Sequence, residues 1–126
     1  LPDIYKNLYA STSAIDIQTQ KSRTEVFIHD KKSSEEMLAS TVLNKKMLPL
    51  LVKISKGGKT HKEETRTGIE KFIYVLDGKI EANIGEEKYD LTKGDTLYFE
   101  ASTPHFFKNA HSHDTKLLCI VSPLKP

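Results

Sequence analysis

Histidine is the side chain best suited to chemistry near neutral pH, and five occur among these 126 residues. His111-x-His113 is a candidate metal-ligand pair, but it lies six to eight residues beyond His105. At about 3.3 Å per residue an extended chain is then some 20 Å away, and a returning strand would bring Leu118 or Cys119 beside His105 instead. The pair therefore reads as a surface loop. His61 and Glu63 would join Glu70 only in a shifted register, so His61 reads as a solvated loop residue. Ser102 and Thr103, just before Pro104, sit near a histidine as a nucleophile would, yet no ordered acid partner accompanies them, and a loop is the better reading. Cys119 is enclosed by Leu117, Leu118, Ile120 and Val121, which suits a buried, inert thiol rather than a disulfide partner. No glycine-rich loop leads into a helix, which removes phosphate-cradle nucleotide hydrolysis.

The elements that position these groups can be read from the composition and the punctuation. The length fits one domain. At 37% hydrophobic and 29% charged, the chain can build a single core, and disorder, collagen-like repeats and a disulfide scaffold are excluded. Net charge is +2, split between +4 in residues 1–63 and −2 in residues 64–126. Neither half has the clustered basic surface of a nucleic-acid binder, so any contact with DNA requires another module. No apolar stretch approaches the ~20 residues of a spanning helix, and no signal peptide is evident. A cytoplasmic, reducing compartment is the expectation. Because the chain starts at Leu1, a processed or truncated protein is also expected.

Residues 1–24 are polar and read as an arm or linker, with Ile4, Tyr5 and Leu8 forming one face of a short helix. Thr24 to His29 is β-branched and aromatic and predicts a strand. Ser33 to Glu36 reads as a break with helix-cap character, followed by a strand over Met37 to Leu43. Leu48 to Ser55 is the next strand, beginning near Pro49 because proline cannot donate to a ladder. All six glycines fall between Gly57 and Gly94, so turns recur closely there. Phe72 to Leu76, an unbroken apolar run, predicts a strand buried on both faces, and Asp77-Gly78 a hairpin turn. Ile80, Ala82 and Ile84 alternate with polar residues. Short strands then follow at Tyr89 to Leu91, Leu97 to Phe99, His105 to Asn109 and Lys116 to Ser122. Eight or nine strands with almost no helix make an antiparallel sandwich or barrel.

At this point the residues resemble the cupin superfamily, whose first motif is Gly, five residues, His-x-His, three or four residues, Glu, six residues, Gly. Here Gly58, Glu64-x-Arg66, Lys71 and Gly78 keep that spacing with every metal-ligand position changed. The second motif is Gly, five residues, Pro-x-Gly, two residues, His, three residues, Asn. Gly94, Glu100-x-Ser102, His105 and Asn109 keep its spacing, its His and its Asn. The resemblance covers roughly Met37 to Pro123 and implies an all-β, antiparallel double-stranded β-helix (a jelly-roll barrel) over residues 25–126, after an arm over residues 1–24.

The resemblance also implies that Glu64, Arg66, Lys71 and His105 face the barrel interior. An Arg and a Lys there oppose a cation, so no metal and no cofactor is expected. Arg66 and Lys71 would bind an anionic, carboxylate-bearing small molecule, with His105 adding a hydrogen bond. Alternatively, Glu64 pairs with Arg66 or Lys71 and the barrel is filled, since buried charges are normally paired. The stretches Met47 to Val52, Tyr74 to Gly78, Gly94 to Phe99 and Pro104-His105 are similar to the C-terminal sensor domain of bacterial helix-turn-helix (XRE-type) regulators. That likeness implies a non-catalytic, small-molecule-sensing domain that forms a homodimer and reaches DNA only through an upstream helix-turn-helix. The competing expectation is a stand-alone cupin enzyme, either with an unconventional metal site or metal-free with His105 as general acid/base.

Overall fold

The computed structural model describes residues 15–40 and 45–124; the short helix expected around Ile4, Tyr5 and Leu8 lies outside them. Nine strands are present among the described residues: β1 (Thr24–Asp30), β2 (Ser33–Met37), β3 (Leu48–Ile54), β4 (Glu70–Asp77), β5 (Lys79–Ile84), β6 (Glu87–Thr92), β7 (Thr96–Glu100), β8 (His105–Lys108) and β9 (Thr115–Ser122). They form a six-stranded sheet, β1-β2-β3-β9-β4-β7, and a three-stranded sheet, β6-β5-β8. All pairings are antiparallel. The only helical piece described is a 3-10 turn at Gln20–Ser22.

Period-two alternation builds the core. Leu50, Val52 and Ile54 of β3, Ile73 and Val75 of β4, and Leu117 and Cys119 of β9 turn inward from the large sheet. Ile80 and Ala82 of β5 and Phe107 of β8 meet them from the small one. Each fully buried aliphatic side chain contributes about 1.5–3 kcal/mol, enough together to hold two sheets with little helix.

Three sequence expectations change here. Ser33 to Glu36 is a strand, and the segment after Met37 is not: Leu38 to Ser40 is irregular, and the remainder of the expected strand lies outside the described residues. Pairing with β3, Ser33↔Ile54 through Met37↔Leu50, overrides the weak β-propensity of Ser and Glu. Second, β4 is not buried on both faces, since Tyr74 and Leu76 are exposed. Third, Asp77-Gly78 does not close a hairpin. β4 pairs with β7 and β9 while β5 pairs with β6 and β8, so Gly78 is the corner where the chain leaves one sheet for the other. Its φ of 83° suits glycine. The neighbouring Thr115 hydroxyl donates to Lys79 O at 2.6 Å.

Asn109 locks the turn that leads into β9. Its amide nitrogen donates to Ile54 O at 2.9 Å and His113 O at 2.8 Å, and its Oδ1 accepts from His111 N at 3.0 Å. His111 and His113 thus belong to the turn before β9, and their backbone is what the fold uses.

Candidate functional site

After β3 the chain runs back along β8. Thr60 N donates to Phe107 O at 2.9 Å, and Phe107 N donates to Thr60 Oγ1 at 2.9 Å. Further along, Glu63 and His105 exchange both backbone hydrogen bonds, at 2.8 and 2.9 Å. Directly opposed residues of an antiparallel pair present their side chains on one face, so Glu63 and His105 stand together. From the facing sheet comes Lys71, which alternates with Ile73 and Val75 on the inner side of β4 and lies in register with Phe99 and Val121. Lys71 is 6% exposed and His105 1%.

The Lys71 ammonium donates to His105 Nε2 at 2.9 Å and contacts Glu63 Oε2 at 3.3 Å. His105 Nδ1 lies 2.8 Å from Thr103 O. A carbonyl only accepts and an ammonium only donates, so the proton of the neutral ring is on Nδ1 and its Nε2 lone pair faces Lys71. Burial, opposed by the Thr103 hydrogen bond and reinforced by the Lys71 charge, holds the imidazole below its ordinary pKa. Phe99 packs edge-on against the ring, with centroids 4.9 Å apart. The Glu63 side chain is 40% exposed and also lines a cleft of about 410 Å³ with Glu35, His61 and Lys62. A charged pair buried at one end and wetted at the other thus sits where the barrel interior meets that cleft.

The Cupin domain family matches residues 50–121. The chain belongs to the cupin family. An uncharacterised protein of Methanocaldococcus jannaschii is 36% identical over 69 residues, 53% of each chain, so this cupin spans about half the length of that relative. KdgF from a Halomonas species superposes with a TM-score of 0.72 at 17% identity, covering 89% of this chain and 96% of that one. The cupin domain of an XRE family transcriptional regulator from Enterobacter cloacae gives 0.61 at 16% identity, covering 79% and 93%. Identities this low establish the jelly-roll fold and nothing finer.

Of the four site residues expected for this cupin, the structure brings Lys71 and His105 together and leaves Glu64 and Arg66 outside. Both are exposed. The register explains the difference. Glu63 is the residue bonded to His105, so its neighbour Glu64 points away. The chain then leaves the sheet, Thr65 N bonding Ala101 O, and turns at Thr67 and Gly68. Arg66 stands at the outer edge of that turn. Glu63, set aside on sequence grounds, is the carboxylate of the site; the signal that finds it is the backbone pairing of residues 59–63 with β8, which motif spacing does not encode.

Glu100, at a position where the second motif carries proline, fastens the two motif loops. Its carboxylate accepts from Ser102 N and Gly68 N, both at 3.0 Å, and these bonds hold its pKa below the ordinary value. Ser102 and Thr103 belong to this loop, and Thr103 contributes its carbonyl to His105. Cys119 is buried, and burial pushes its thiol up to about 12, which makes it unreactive.

A metal ion of the kind cupins imply does not fit these side chains. Among the described residues no group of three or more His, Cys, Asp and Glu is arranged to hold one. The His105 lone pair that would ligate a metal is directed instead at the Lys71 ammonium.

Proposed function

We propose that this chain is the non-catalytic, ligand-sensing cupin domain of a transcription regulator, and that a small carboxylate-bearing molecule binds at Lys71. One observation carries the reading. The buried ammonium is held from inside by His105 and from the cleft side by a half-exposed carboxylate that a ligand carboxylate can displace. Glu63 is then the site's own stand-in for ligand, and Lys71, rather than Arg66, is the anion-binding group. Charge-assisted hydrogen bonds to Lys71 suit that exchange. The sealed imidazole, with both nitrogens engaged, weighs against His105 as a general acid/base and so against the enzyme reading.

Calorimetric titration with a panel of small carboxylates (acetate, pyruvate, citrate) tests this. Binding by the wild type is expected to weaken about tenfold or more in Lys71→Met, equivalent to about 1.4 kcal/mol. It should tighten in Glu63→Gln, where the competitor is gone. Affinities unchanged in both variants, with the fold intact by circular dichroism, sink the proposal.

In the regulator, DNA contact belongs to an upstream helix-turn-helix, and a ligand acts by preferring one state of a homodimer. The dimer seam we assign is the outer face of the six-stranded sheet. There Tyr98, Phe72, Ile120 and Pro49 lie in one row and Tyr74, Leu118 and Leu51 in the next. Tyr98 is 64% exposed, and contiguous apolar surface of this kind favours association. Light scattering should give twice the chain mass for wild type and the single mass for Ile120→Glu. A monomeric wild type removes the dimer. The cytoplasm is the compartment that goes with this role.

A further inference from the structure

The cluster around Lys71 has metal-type donors with a side-chain cation at their focus. His105 donates its Nδ1 proton to the Thr103 carbonyl and turns an unprotonated Nε2 to Lys71, the arrangement by which a metal-ligating histidine is usually oriented. Glu63 Oε2 approaches the same point from the cleft. Both donors meet Lys71 Nζ, at 2.9 and 3.3 Å, distances that suit hydrogen bonds and exceed the ~2.0–2.2 Å of zinc ligation. A divalent ion and an ammonium cannot share that focus, because their repulsion in a low-dielectric site is large.

We infer that the Lys71 ammonium is the resident cation of this site, taking the place of a divalent metal, and that the site becomes a divalent-metal site when Lys71 is replaced by a carboxylate. Lys71→Glu both removes the repelling charge and adds a third donor to His105 and Glu63. That makes the three-ligand, one-open-position set of an accessible zinc centre. The consequence for the native protein is a cation that chelators cannot strip and metal supply cannot vary.

Zinc is the probe. Wild type and Lys71→Glu are loaded with Zn²⁺, dialysed and analysed for bound metal, and their unfolding midpoints are measured with and without Zn²⁺. Wild type should retain none and show no zinc-dependent rise. Lys71→Glu should retain about one ion per chain and gain stability with zinc. Lys71→Glu/His105→Gln should lose that uptake, locating the ion at Nε2. Stoichiometric zinc on wild type that His105→Gln abolishes overturns the inference, as does a folded Lys71→Glu that takes up none. Should Lys71→Glu not fold, Lys71→Gln carries the same test with an amide oxygen as third donor, and its failure to bind counts equally. Carboxylate binding to wild type reports the sensing role and zinc uptake by the variant reports this one, so either can fail alone.

Discussion

His105→Leu should destabilise the barrel by about 3–4 kcal/mol, far more than Lys71→Met, although the two side chains share one hydrogen bond. The difference lies in what each removal leaves behind. Without the imidazole, the Lys71 ammonium stays buried with only the half-exposed Glu63 carboxylate at 3.3 Å. Breaking a buried charged pair by removing one partner typically costs about 3–5 kcal/mol, and wetting of Glu63 brings the expectation toward the lower end. Thr103 O also loses its donor, and the edge-on contact with Phe99 disappears, worth about 0.5–1.5 kcal/mol. Lys71→Met instead takes the charge away. It leaves His105 Nε2 without a donor, about 1–3 kcal/mol, offset by the ammonium desolvation that no longer opposes folding. Denaturant unfolding of both single variants and the double variant checks this. The double variant should be more stable than His105→Leu alone, and strict additivity would show that the two groups do not share one electrostatic unit.

The same cluster gives the protein an acid sensitivity of definite sign. Because burial first, and the Lys71 charge after it, lower the folded pKa of His105 below 6.5, the unfolded chain binds the proton more readily. Stability is then fully present above pH 6.5 and is lost as the pH falls through the lowered folded value. His105→Leu should lack this component of the pH profile.

The second large effect is expected at Gly78. Alanine there needs a Cβ 2.6 Å from both Asp114 O and Thr115 Oγ1 and 3.0 Å from Thr115 Cα, at a φ of 83°. None of the three is a flexible side-chain end, since the Thr115 hydroxyl is committed to Lys79 O. Left-handed backbone costs about 1–2 kcal/mol for an L-residue and overpacking about 1–3 more, so Gly78→Ala should cost about 2–5 kcal/mol. Gly94, at φ 91°, has nothing within 4 Å of its Cβ position, and Gly94→Ala should cost only the conformational 1–2 kcal/mol. Equal losses for the two variants in denaturant unfolding would falsify the steric argument.

The comparison between these glycines shows what a sequence carries and where it stops. Recurrent glycine turns and period-two alternation specify an antiparallel sandwich or barrel, because each reflects a local requirement of backbone or pleat, and the jelly roll itself is implied by the resemblance of the glycine and His105-Asn109 spacing to the cupin motifs. Gly78 was legible as a turn but not as a corner between sheets, since that depends on which distant strands β4 and β5 choose as neighbours. β2 is hidden in the sequence for the same reason: Ser33 to Glu36 has little strand preference of its own and is made a strand by β3. Of the residues that the cupin resemblance turns inward, Lys71 and His105 are buried and in contact. Glu63 is not among those residues, because the parity of a chain entering from a loop is set by its pairing with β8, and one residue of slip exchanges the inward and outward sides. The lost alternation at Glu64 and Arg66 is that slip made visible.

The position of β9 has a consequence for how the molecule is made. It lies between β3 and β4, paired along Leu48↔Val121 to Ile54↔Thr115 on one side and Glu70↔Ser122 to Asp77↔Lys116 on the other. Until residues 115–122 leave the ribosome, β3 and β4 each present an open edge with no ladder partner on that side, and such edges are templates for pairing with other chains. Completion of the large sheet therefore requires a strand synthesised after both of its neighbours, and that strand lies at the centre of the sheet rather than at its rim.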